Sequence, residues 1–419
     1  MRDYYARSDR LRETILLDYL YGADIKIPPP DDRLVDFGER IPKLASPISA
    51  YLLEVWGFMS AYNVRFVPHL KSPAKDEWLE LQLTQSNLIN SLQHIWERLA
   101  ITGEVCLVAL PADGLTYRIK QFEYSEFEPV YDELGRLESI RVKSVSGDHS
   151  YRMDVTAEYY RVYDKVLLEY TGEVSYTDYP HSYGFVPAVV ICNNQSLASE
   201  GYPDFDETTI DLAIELIRQS AIPSINFRYF SRPWIITPDP KETRKAIAKK
   251  DVVLQSESPE DGGNPTALSF NPVPSNLYDY LEILSKNFCQ QLGLSYVRDV
   301  SGFSNASSLA LKIIYSASLR TVEDKLKMIA SGVAKLLEMT LRMAATDGIL
   351  LDVYLDDSET YRVDYYNTGE PFPLTPQEKL TLLSLASQLR DLGVTPEIAL
   401  QEYYRDKSLE EILEKLEAT

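Results

Sequence analysis

Residue types that carry chemistry are sparse in this chain, and a group of aspartates is their densest cluster. Asp352, Asp356 and Asp357 fall within six residues, and carboxylates at this spacing could hold Mg²⁺. Asp356-Asp357 is followed by Ser358, however, and this composition is typical of a turn between two strands. Both interpretations of the aspartates, a metal site and a turn, fit the sequence, and we favour the turn.

The histidines, cysteines and glycines predict no catalytic or metal centre. No two histidines lie three to five residues apart, and the three cysteines are too scattered for a disulfide framework or a zinc site. A P-loop, a dinucleotide-binding glycine motif and a nucleophile elbow are all missing from the sequence. We therefore expect no enzyme, no metal and no cofactor, with His94 near the surface and reduced thiols in the core. These residues are His69, His94, His149, His181, Cys106, Cys192 and Cys289.

Composition and charge limit the classes of protein to which the chain could belong. The 419 residues carry a formal net charge of −21, and the length suits about two to four folded units. The acidic net charge argues against a protein that wraps nucleic acid for affinity, because such a protein needs a basic surface. It does not argue against a protein past which nucleic acid slides without binding. We expect a soluble intracellular protein, because no apolar run approaches a membrane span and residues 1–5 do not begin a signal peptide. The 29 tyrosines suit protein interfaces.

Five basic residues within ten positions interrupt the acidic composition. They fall on a helix predicted over 240–250, where their spacing covers much of one face. That face could contact a nucleic acid or an acidic partner. It could equally be solvated and balanced by Glu242 and Asp251. The five residues are Lys241, Arg244, Lys245, Lys249 and Lys250.

The elements of the first half are predicted to be helical and then β-rich. Apolar spacing predicts one helix over 5–21 and a clearer one over 79–100, which Thr102-Gly103 ends. An apolar strand follows over 105–110. Residues 115–192 predict a small β domain with a hairpin turn at 132–136. Its strands are expected at 118–122, 140–144, 159–162, 165–170 and 184–191.

The second half predicts a small insert carried between two helices, followed by a loop and one very long helix. The first helix begins at Asp206 and is expected to be kinked or interrupted at Pro223. The insert, residues 232–273, contains three short strands and the basic helix. The remaining elements are expected as helices at 205–231 and 274–292, insert strands at 234–237, 252–255 and 267–270, a loop at 293–305, a helix at 307–345, a hairpin of 350–355 with 361–366, and terminal helices at 376–418.

Five stretches of the sequence resemble the portal proteins of tailed bacteriophages of the SPP1 type, and they occur in the same order as in that family. Phe303–Lys312 resembles the stretch in which the family's tunnel loop passes into its long helix. It departs from the family, because Ser301-Gly302 precedes Asn305 and Ser307-Ser308 takes the family's Ser-Gly position. The matches are distributed over about residues 80–410, which is most of the chain. The other four are Leu99–Glu104, Tyr183–Val190, Asn367–Glu378 and Leu392–Glu397.

The resemblance implies an α+β portal fold and gives each segment a place in it. The first 204 residues would form the wing, and the insert between the two stem helices would form the clip. A long wing helix with a hairpin would follow the tunnel loop, and the terminal helices would form a crown. The implied boundaries are wing 1–204, stem helices 205–231 and 274–292, clip 232–273, tunnel loop 293–307, long helix and hairpin 308–374, and crown 375–419.

The resemblance also implies a ring of twelve subunits at one vertex of a virion capsid, assembled in the host cytoplasm. Double-stranded DNA would pass through the ring during packaging and ejection. Terminase and a head–tail adaptor would dock at the clip, on the basic residues above, and the major capsid and scaffolding proteins would be further partners. The DNA-facing residues of the tunnel loop would be Arg298, Ser301, Gly302, Phe303, Ser304, Asn305 and Lys312.

Three alternatives stay open. Arg298 and Lys312 could give weak phosphate contacts, or they could be paired with nearby acids such as Asp299. The protein could be another ring-forming component of a phage neck or tail. A metal-dependent nuclease that uses the aspartates at 352–357 is the more distant possibility.

Overall fold

A computed structural model of the chain describes residues 47–70, 72–112, 114–146, 149–167, 176–193, 201–230, 234–237, 253–255, 266–268, 276–297, 307–350 and 361–373. The predicted helix at 5–21, the basic helix at 240–250 and the terminal helices at 376–418 lie outside these residues. Within them the chain is α+β, as the sequence predicts. The helices are α1 Pro47–Ala61, α2 Pro73–Ser86, α3 Leu88–Thr102, α4 Glu207–Phe230, α5 Asn276–Gln291, α6 Ser308–Ile314 and α7 Ser316–Thr346.

Thirteen strands of the described residues form four sheets. Three of the sheets have three strands or fewer, and the largest has five. The strands are β1 Val64–Pro68, β2 Glu104–Pro111, β3 Tyr117–Glu123, β4 Phe127–Tyr131, β5 Leu137–Ser146, β6 His149–Thr156, β7 Tyr159–Leu167, β8 Tyr176–Pro180, β9 Ala188–Cys192, β10 Trp234–Thr237, β11 Val253–Gln255, β12 Thr266–Leu268 and β13 Val363–Asn367.

The helix predicted over 79–100 is in fact two helices. Asn87 lies between α2 and α3 with a φ of 54°, which is a left-handed conformation that no continuous helix contains. Both sides of this break carry apolar residues at helical spacing, so periodicity does not reveal it. The predicted end of α3 is confirmed, because Gly103 caps it with a φ of 88° and its N–H donates to the Leu99 carbonyl.

Strand β2 lies in the middle of three layers, and this explains its unbroken apolar sequence. It pairs antiparallel with β3 on one side and with β9 on the other. Val105 and Leu107 belong to a core shared with the helices, whereas Cys106 and Val108 belong to a second core beneath the five-stranded sheet. A strand buried on both faces needs apolar residues at successive positions rather than in alternation.

The five-stranded sheet has the order β4-β5-β6-β7-β8 and is antiparallel throughout. The hairpin turn predicted at 132–136 is confirmed, with the Asp132 N–H donating to the Arg136 carbonyl. The strands predicted at 159–162 and 165–170 are one strand as far as Leu167. The sequence analysis did not predict β4, β6 or β8; every residue of β8 is exposed, so it lacks the alternation of a half-buried strand.

Helices α4 and α5 pack together and flank the small sheet β11-β10-β12 in sequence. The predicted start of α4 is confirmed, because the Asp206 carboxylate accepts a hydrogen bond from the Thr209 N–H at 2.7 Å. Of the kink or interruption predicted at Pro223, the interruption is wrong, since α4 runs as one helix from Glu207 to Phe230. The three insert strands lie within about two residues of their predicted positions. The division into domains stays a prediction.

Helix α7 is the longest element and forms much of the main core. Its 31 residues span about 46 Å. Gly332 allows α7 to approach β9 closely, because a Cβ at this position would lie 2.6 Å from the Ile191 side chain. No helix in the described part of the chain combines the length and apolar composition needed to span a bilayer.

Strand β13 confirms the second strand of the hairpin predicted at 350–366, but its described partner was not predicted. It pairs antiparallel with β1, which lies about 300 residues earlier, with Val64 opposite Asn367. The expected first strand of the hairpin falls mostly at 351–360, outside the described residues, as do Asp352, Asp356 and Asp357.

Candidate functional site

The chain enters the loop at 293–307 through a tight cap at the end of α5. The Leu294 N–H donates to the Cys289 carbonyl at 2.8 Å, and the Gly293 N–H donates to the Gln290 carbonyl at 3.2 Å. These two bonds form a Schellman motif, which needs a left-handed residue at its centre. Gly293 has a φ of 68°, which an L side chain rarely adopts.

This first end of the loop is also fastened to α7. The Thr321 hydroxyl donates to the Gly293 carbonyl at 2.9 Å, and the Ser295 N–H donates to the Ser318 hydroxyl at 2.9 Å. Ser318 is fully buried, and Leu294 is buried in the main core. The first end of the loop, Gly293 to Ser295, is therefore fixed on the first two turns of α7.

The second end of the loop is the start of α6. The Ser307 hydroxyl accepts a hydrogen bond from the Ala310 N–H at 3.1 Å and so caps this helix. Helices α6 and α7 are separated at Tyr315, so the single helix predicted over 307–345 is wrong in this detail. The Tyr315 ring packs against Phe58 and Phe372, with ring centroids 5.5 Å apart in both pairs. Sequence periodicity could not reveal this contact between distant segments.

A buried polar network fastens the middle of α7 to the start of α4. The Lys325 ammonium lies 2.6 Å from the Asp204 carboxylate and 2.6 Å from the Asn193 side-chain oxygen. The Lys325 and Asp204 side chains are 9% and 6% exposed. Tyr51 in α1 donates to the same carboxylate at 3.0 Å, and burial followed by this charge raises the pKa of Tyr51 well above its ordinary value. We call these four residues the anchor network.

The anchor network joins α7 to three other parts of the chain that the sequence analysis treated separately. Asn193 follows β9, Asp204 precedes α4, and Tyr51 lies in α1. Buried charges are costly unless they are paired and hydrogen-bonded, and here the pairing crosses 121 residues. A signal for it exists in the sequence, because Lys325 stands within the apolar stripe Val322, Leu326 and Ile329 of α7.

Most of the predicted site residues fall outside the described residues. Lys312 is the exception, and its ammonium lies 3.2 Å from the Glu370 carboxylate with its side chain 40% exposed. The expected alternative of pairing with an acid is therefore realised for Lys312, although the acid is Glu370. The undescribed residues are Arg298, Ser301, Gly302, Phe303, Ser304 and Asn305 of the tunnel loop, and Lys241, Arg244, Lys245, Lys249 and Lys250 of the clip.

The histidines of the described residues lie apart from one another. His69 contacts the Asp364 carboxylate at 2.6 Å, and His94 is exposed on α3, as expected. His181 stacks on Tyr183 with centroids 4.4 Å apart. Within the described ranges no group of three or more histidine, cysteine or acidic side chains could hold a metal ion.

The three cysteines are free and at least partly buried. Burial raises the pKa of the Cys106 thiol far above its ordinary value, and it raises that of Cys192 to about 12 and that of Cys289 to about 11. Thiols held in the protonated form are poor nucleophiles and poor metal ligands.

No family model matches the chain, and no curated protein matches it. Among solved structures, the chain is similar to one in "Virion of native gene transfer agent (GTA) particle", with a TM-score of 0.47 and 12% identity over 83% of this chain and 86% of that chain. It is also similar to chains in "Neck of empty GTA particle computed with C6 symmetry" (0.46, 11%, 83% and 87%) and "Neck of native GTA particle computed with C12 symmetry" (0.45, 11%, 82% and 85%).

Proposed function

We propose that the chain is a structural, ring-forming neck protein of a phage-like particle, and more specifically its portal protein. In this role twelve copies form a ring at one capsid vertex, and double-stranded DNA passes through the ring during packaging and ejection. The clip provides the docking platform for terminase and the head–tail adaptor. The protein itself performs no catalysis and acts in the virion.

The observation that carries this proposal is the loop at 293–307, which follows a helix–small sheet–helix segment and is fastened at both ends. Its first end is bonded to Thr321 and Ser318, and its second end continues through α6 into α7. A loop that contacts moving DNA must yield in the middle while its ends hold position. The anchor network supports this function, because it ties α7 to the start of α4.

The charge of the chain supports the same function. A ring of subunits with a formal charge of −21 each repels phosphates over much of its surface, so DNA gains little from binding to it. Lys312, a predicted DNA-facing cation, is paired with Glu370 in this structure. Such pairing lowers the attraction that a phosphate would feel, which suits passage rather than binding.

Exposed apolar side chains on α6 support ring formation. Leu309 is 60% exposed and Ile313 is 66% exposed, and they are one helical turn apart on the same face. Burying either side chain against a neighbouring subunit would contribute roughly 1.5–3 kcal/mol. A head-to-tail contact that closes on itself makes a ring, so each subunit must offer two such surfaces.

The first experiment is the mass of the purified protein in solution, by native mass spectrometry and light scattering, with negative-stain images of the same sample. We expect a ring of about twelve copies with a central hole. A stable dimer or trimer without a hole would contradict the proposal and return attention to Asp352, Asp356 and Asp357. A cleavage assay on DNA with added Mg²⁺ would then test a nuclease.

A pair of substitutions tests the α6 contact within that ring. We expect Leu309→Glu with Ile313→Glu to leave the subunit folded and to abolish the ring, since two charges would replace the apolar face that the ring would bury. Leu134→Glu is the matched control, because Leu134 is 76% exposed in a hairpin turn far along the chain from α6. If the double variant still forms rings, this face of α6 is not part of the contact between subunits.

A packaging assay distinguishes a portal from another neck ring. In particles assembled with the cognate capsid proteins and terminase, we expect a portal to be required for DNA uptake, whereas a neck ring that joins later would be required only for particle completion. Arg298→Ala and Lys312→Ala test the tunnel loop, with Lys335→Ala as control because Lys335 is exposed on α7. Unchanged packaging and retention in the first two variants would exclude phosphate contacts at these residues.

The clip is tested by reversing its charge. We expect Lys241→Glu with Arg244→Glu and Lys245→Glu to weaken terminase or adaptor binding to the assembled ring and to leave the ring itself intact. Binding that is unchanged at low and high salt would show that this helix is a solvated face balanced by Glu242 and Asp251.

A further inference from the structure

An open groove lies between helix α7 and strand β13. Its volume is about 540 Å³, within the range of ligand pockets. One wall is a single face of α7, and the other wall is the strand itself. Ala334 and Val363 belong to the main core, so both walls are fixed in place. The groove is lined by Ser331, Ala334, Lys335 and Glu338 on α7 and by Arg362–Tyr366 on the other side, and we call it the α7–β13 groove.

The wall formed by β13 is the edge of a sheet. Strand β13 pairs with β1 on one side, and within the described residues no strand pairs with its other side. The Val363 N–H points to this open side, since it donates to the Glu338 carboxylate at 3.1 Å. In an antiparallel strand the backbone groups of alternate residues point the same way, so the N–H and C=O of Tyr365 also face the groove. An open edge of this kind is a template for a further strand.

The groove has the dimensions of a short extended segment. Glu338 contacts Val363, and one turn further along α7 the Arg342 guanidinium lies 5.7 Å from the centre of the Tyr361 ring. Strand β13 and α7 therefore run side by side in opposite directions. From Ser331 to Glu338 the helix rises about 10 Å, which is the length of about three extended residues. Addition of a peptide strand to a sheet edge derives affinity from backbone hydrogen bonds and specificity from alternate side chains.

The two carboxylates of the groove are already bonded within the chain. Glu338 accepts the Val363 N–H described above. The Asp364 carboxylate lies 2.6 Å from the His69 ring nitrogen and 3.2 Å from the Arg362 guanidinium. Neither carboxylate is therefore available to bind a basic ligand without losing a contact of the folded chain.

The cations beside the groove are more available. Lys335 is exposed and has no ion pair with a described residue, and the Arg362 side chain is 56% exposed. Exposed Lys327 lies about two turns before Lys335, and beyond Asp324 the only acidic residue of α7 is Glu338. In a chain with a formal charge of −21, this basic surface favours an acidic partner. A nucleic acid would match the cations but would leave the open backbone edge unpaired, so a peptide fits both features.

We propose that the α7–β13 groove docks an extended, acidic peptide segment of another protein, which adds a strand to the open edge of β13. The N–H and C=O of Tyr365 hydrogen-bond the backbone of this segment. Its alternate side chains face Ala334 on one side and Arg362 on the other, since successive side chains of a strand point to opposite faces.

Peptide binding to the full-length protein, measured by fluorescence anisotropy, tests this proposal. The probe is a labelled octapeptide of alternating Glu and Val, blocked at both ends, and we expect it to bind saturably. Two further peptides are controls: one of alternating Lys and Val, and the Glu–Val peptide methylated at every backbone nitrogen, which keeps the charge but cannot add a strand. One exposed ion pair changes affinity by only roughly 1.5- to fivefold, so the whole peptide is reversed in charge. We expect each control peptide to bind at least about tenfold more weakly.

A substitution in the groove separates docking from binding elsewhere on the surface. Ser331→Trp fills the groove from an exposed position of α7, so the fold is retained and affinity for the Glu–Val peptide should fall about tenfold or more. Ser316→Trp is the matched control, because Ser316 is exposed on the same helix about 22 Å away along its axis. Equal affinity in the two variants, equal affinity for the three peptides, or no saturation below about 1 mM peptide would overturn the proposal. Pairing of the open edge with residues 350–355, the predicted first strand of the hairpin, would give the last of these results.

Hydrogen exchange then locates the bound peptide. With free peptide at ten times its dissociation constant, the Tyr365 amide should exchange about tenfold more slowly, whereas amides of the turn between β4 and β5 should be unchanged. Unchanged exchange at Tyr365 would also overturn the proposal. These measurements do not depend on ring formation, so their failure leaves the proposed function untouched.

Discussion

Replacing Lys325 by methionine should destabilise the protein strongly, because it removes the cation of the anchor network and keeps the carboxylate. The ammonium is 2.6 Å from both the Asp204 and the Asn193 oxygens, in a place where the two charged side chains are less than a tenth exposed. Removing one partner of a buried ion pair costs about 3–5 kcal/mol. Asp204 would keep the Tyr51 and Asn193 donors, so we expect the lower end, about 3 kcal/mol.

Two further variants, a double substitution and a control, test whether the loss of stability comes from the unpaired charge. In Lys325→Met with Asp204→Asn no charge is left in the network, and the double variant should recover roughly 1–2 kcal/mol relative to Lys325→Met. Lys335→Met is the control, since Lys335 is exposed on the same helix and its loss should change stability by less than about 0.5 kcal/mol.

Urea unfolding, followed by tryptophan fluorescence, measures these differences. Trp96 is fully buried and its ring lies 6.2 Å from that of Tyr51, so its emission reports on the region of the network. The comparison is of midpoints at a common slope. If Lys325→Met unfolds at the same urea concentration as Lys335→Met, or if Asp204→Asn does not relieve it, the ion pair does not hold α7 in place and the reasoning fails.

Three other substitutions test packing, loop geometry and pH response. Gly332→Ala should destabilise by about 1–3 kcal/mol in urea melts, although alanine favours helices, because its Cβ would lie 2.6 Å from the Ile191 side chain. Gly293→Ala should lower the melting temperature, since φ is 68° and the new Cβ would meet the Thr321 hydroxyl at 2.7 Å. Burial lowers the pKa of His181 below its ordinary 6.5, so on acidification the unfolded chain binds a proton at this histidine before the folded chain does. The contribution of neutral His181 to the free energy of unfolding is therefore fully present above pH 6.5, and it is lost as the pH falls from 6.5 through the folded pKa. His181→Gln should make the urea midpoint less sensitive between about pH 7.5 and 5, whereas unchanged sensitivity would contradict this assignment.

Elements that are determined by nearby residues were predictable from the sequence. The turn at 132–136 and the cap at Asp206 each depend on contacts within a few positions, and the apolar run at 105–110 can be recognised without knowing its partners; all three are confirmed. The three insert strands were found for the same reason, because Gly, Pro and Ser clusters bound them in the sequence.

Elements that depend on distant contacts were not predictable. Strand β13 pairs with β1 across about 300 residues, and no local pattern identifies that partner. The break at Tyr315 lies where its ring packs against Phe58 and Phe372, which belong to two other segments. Asn87 gave a weak local signal, since asparagine tolerates the left-handed conformation better than most residues, but the apolar spacing on both sides concealed it.

The candidate site also has features that could be predicted from the sequence and features that could not. The position of the loop before the long helix could be predicted, because glycine and polar residues separate two strongly periodic segments. The anchors at its first end could not, since the Ser318 hydroxyl accepts a hydrogen bond from, and the Thr321 hydroxyl donates one to, backbone groups more than twenty residues away. Lys325 offered a usable signal, because a lysine inside an apolar stripe must find a buried partner or leave the core.

The placement of these anchors bears on how the proposed portal would work. Force applied by DNA to the middle of the loop would pass to Gly293 on one side and to α6 on the other, and both lead to α7. A helix held by apolar contacts could slide along its axis, because such contacts are not directional. Lys325 resists sliding, since a shift of one residue, about 1.5 Å, would break charge-assisted hydrogen bonds of 2.6 Å. Under the proposed function, weakening the anchor network should therefore impair DNA retention before it impairs ring assembly.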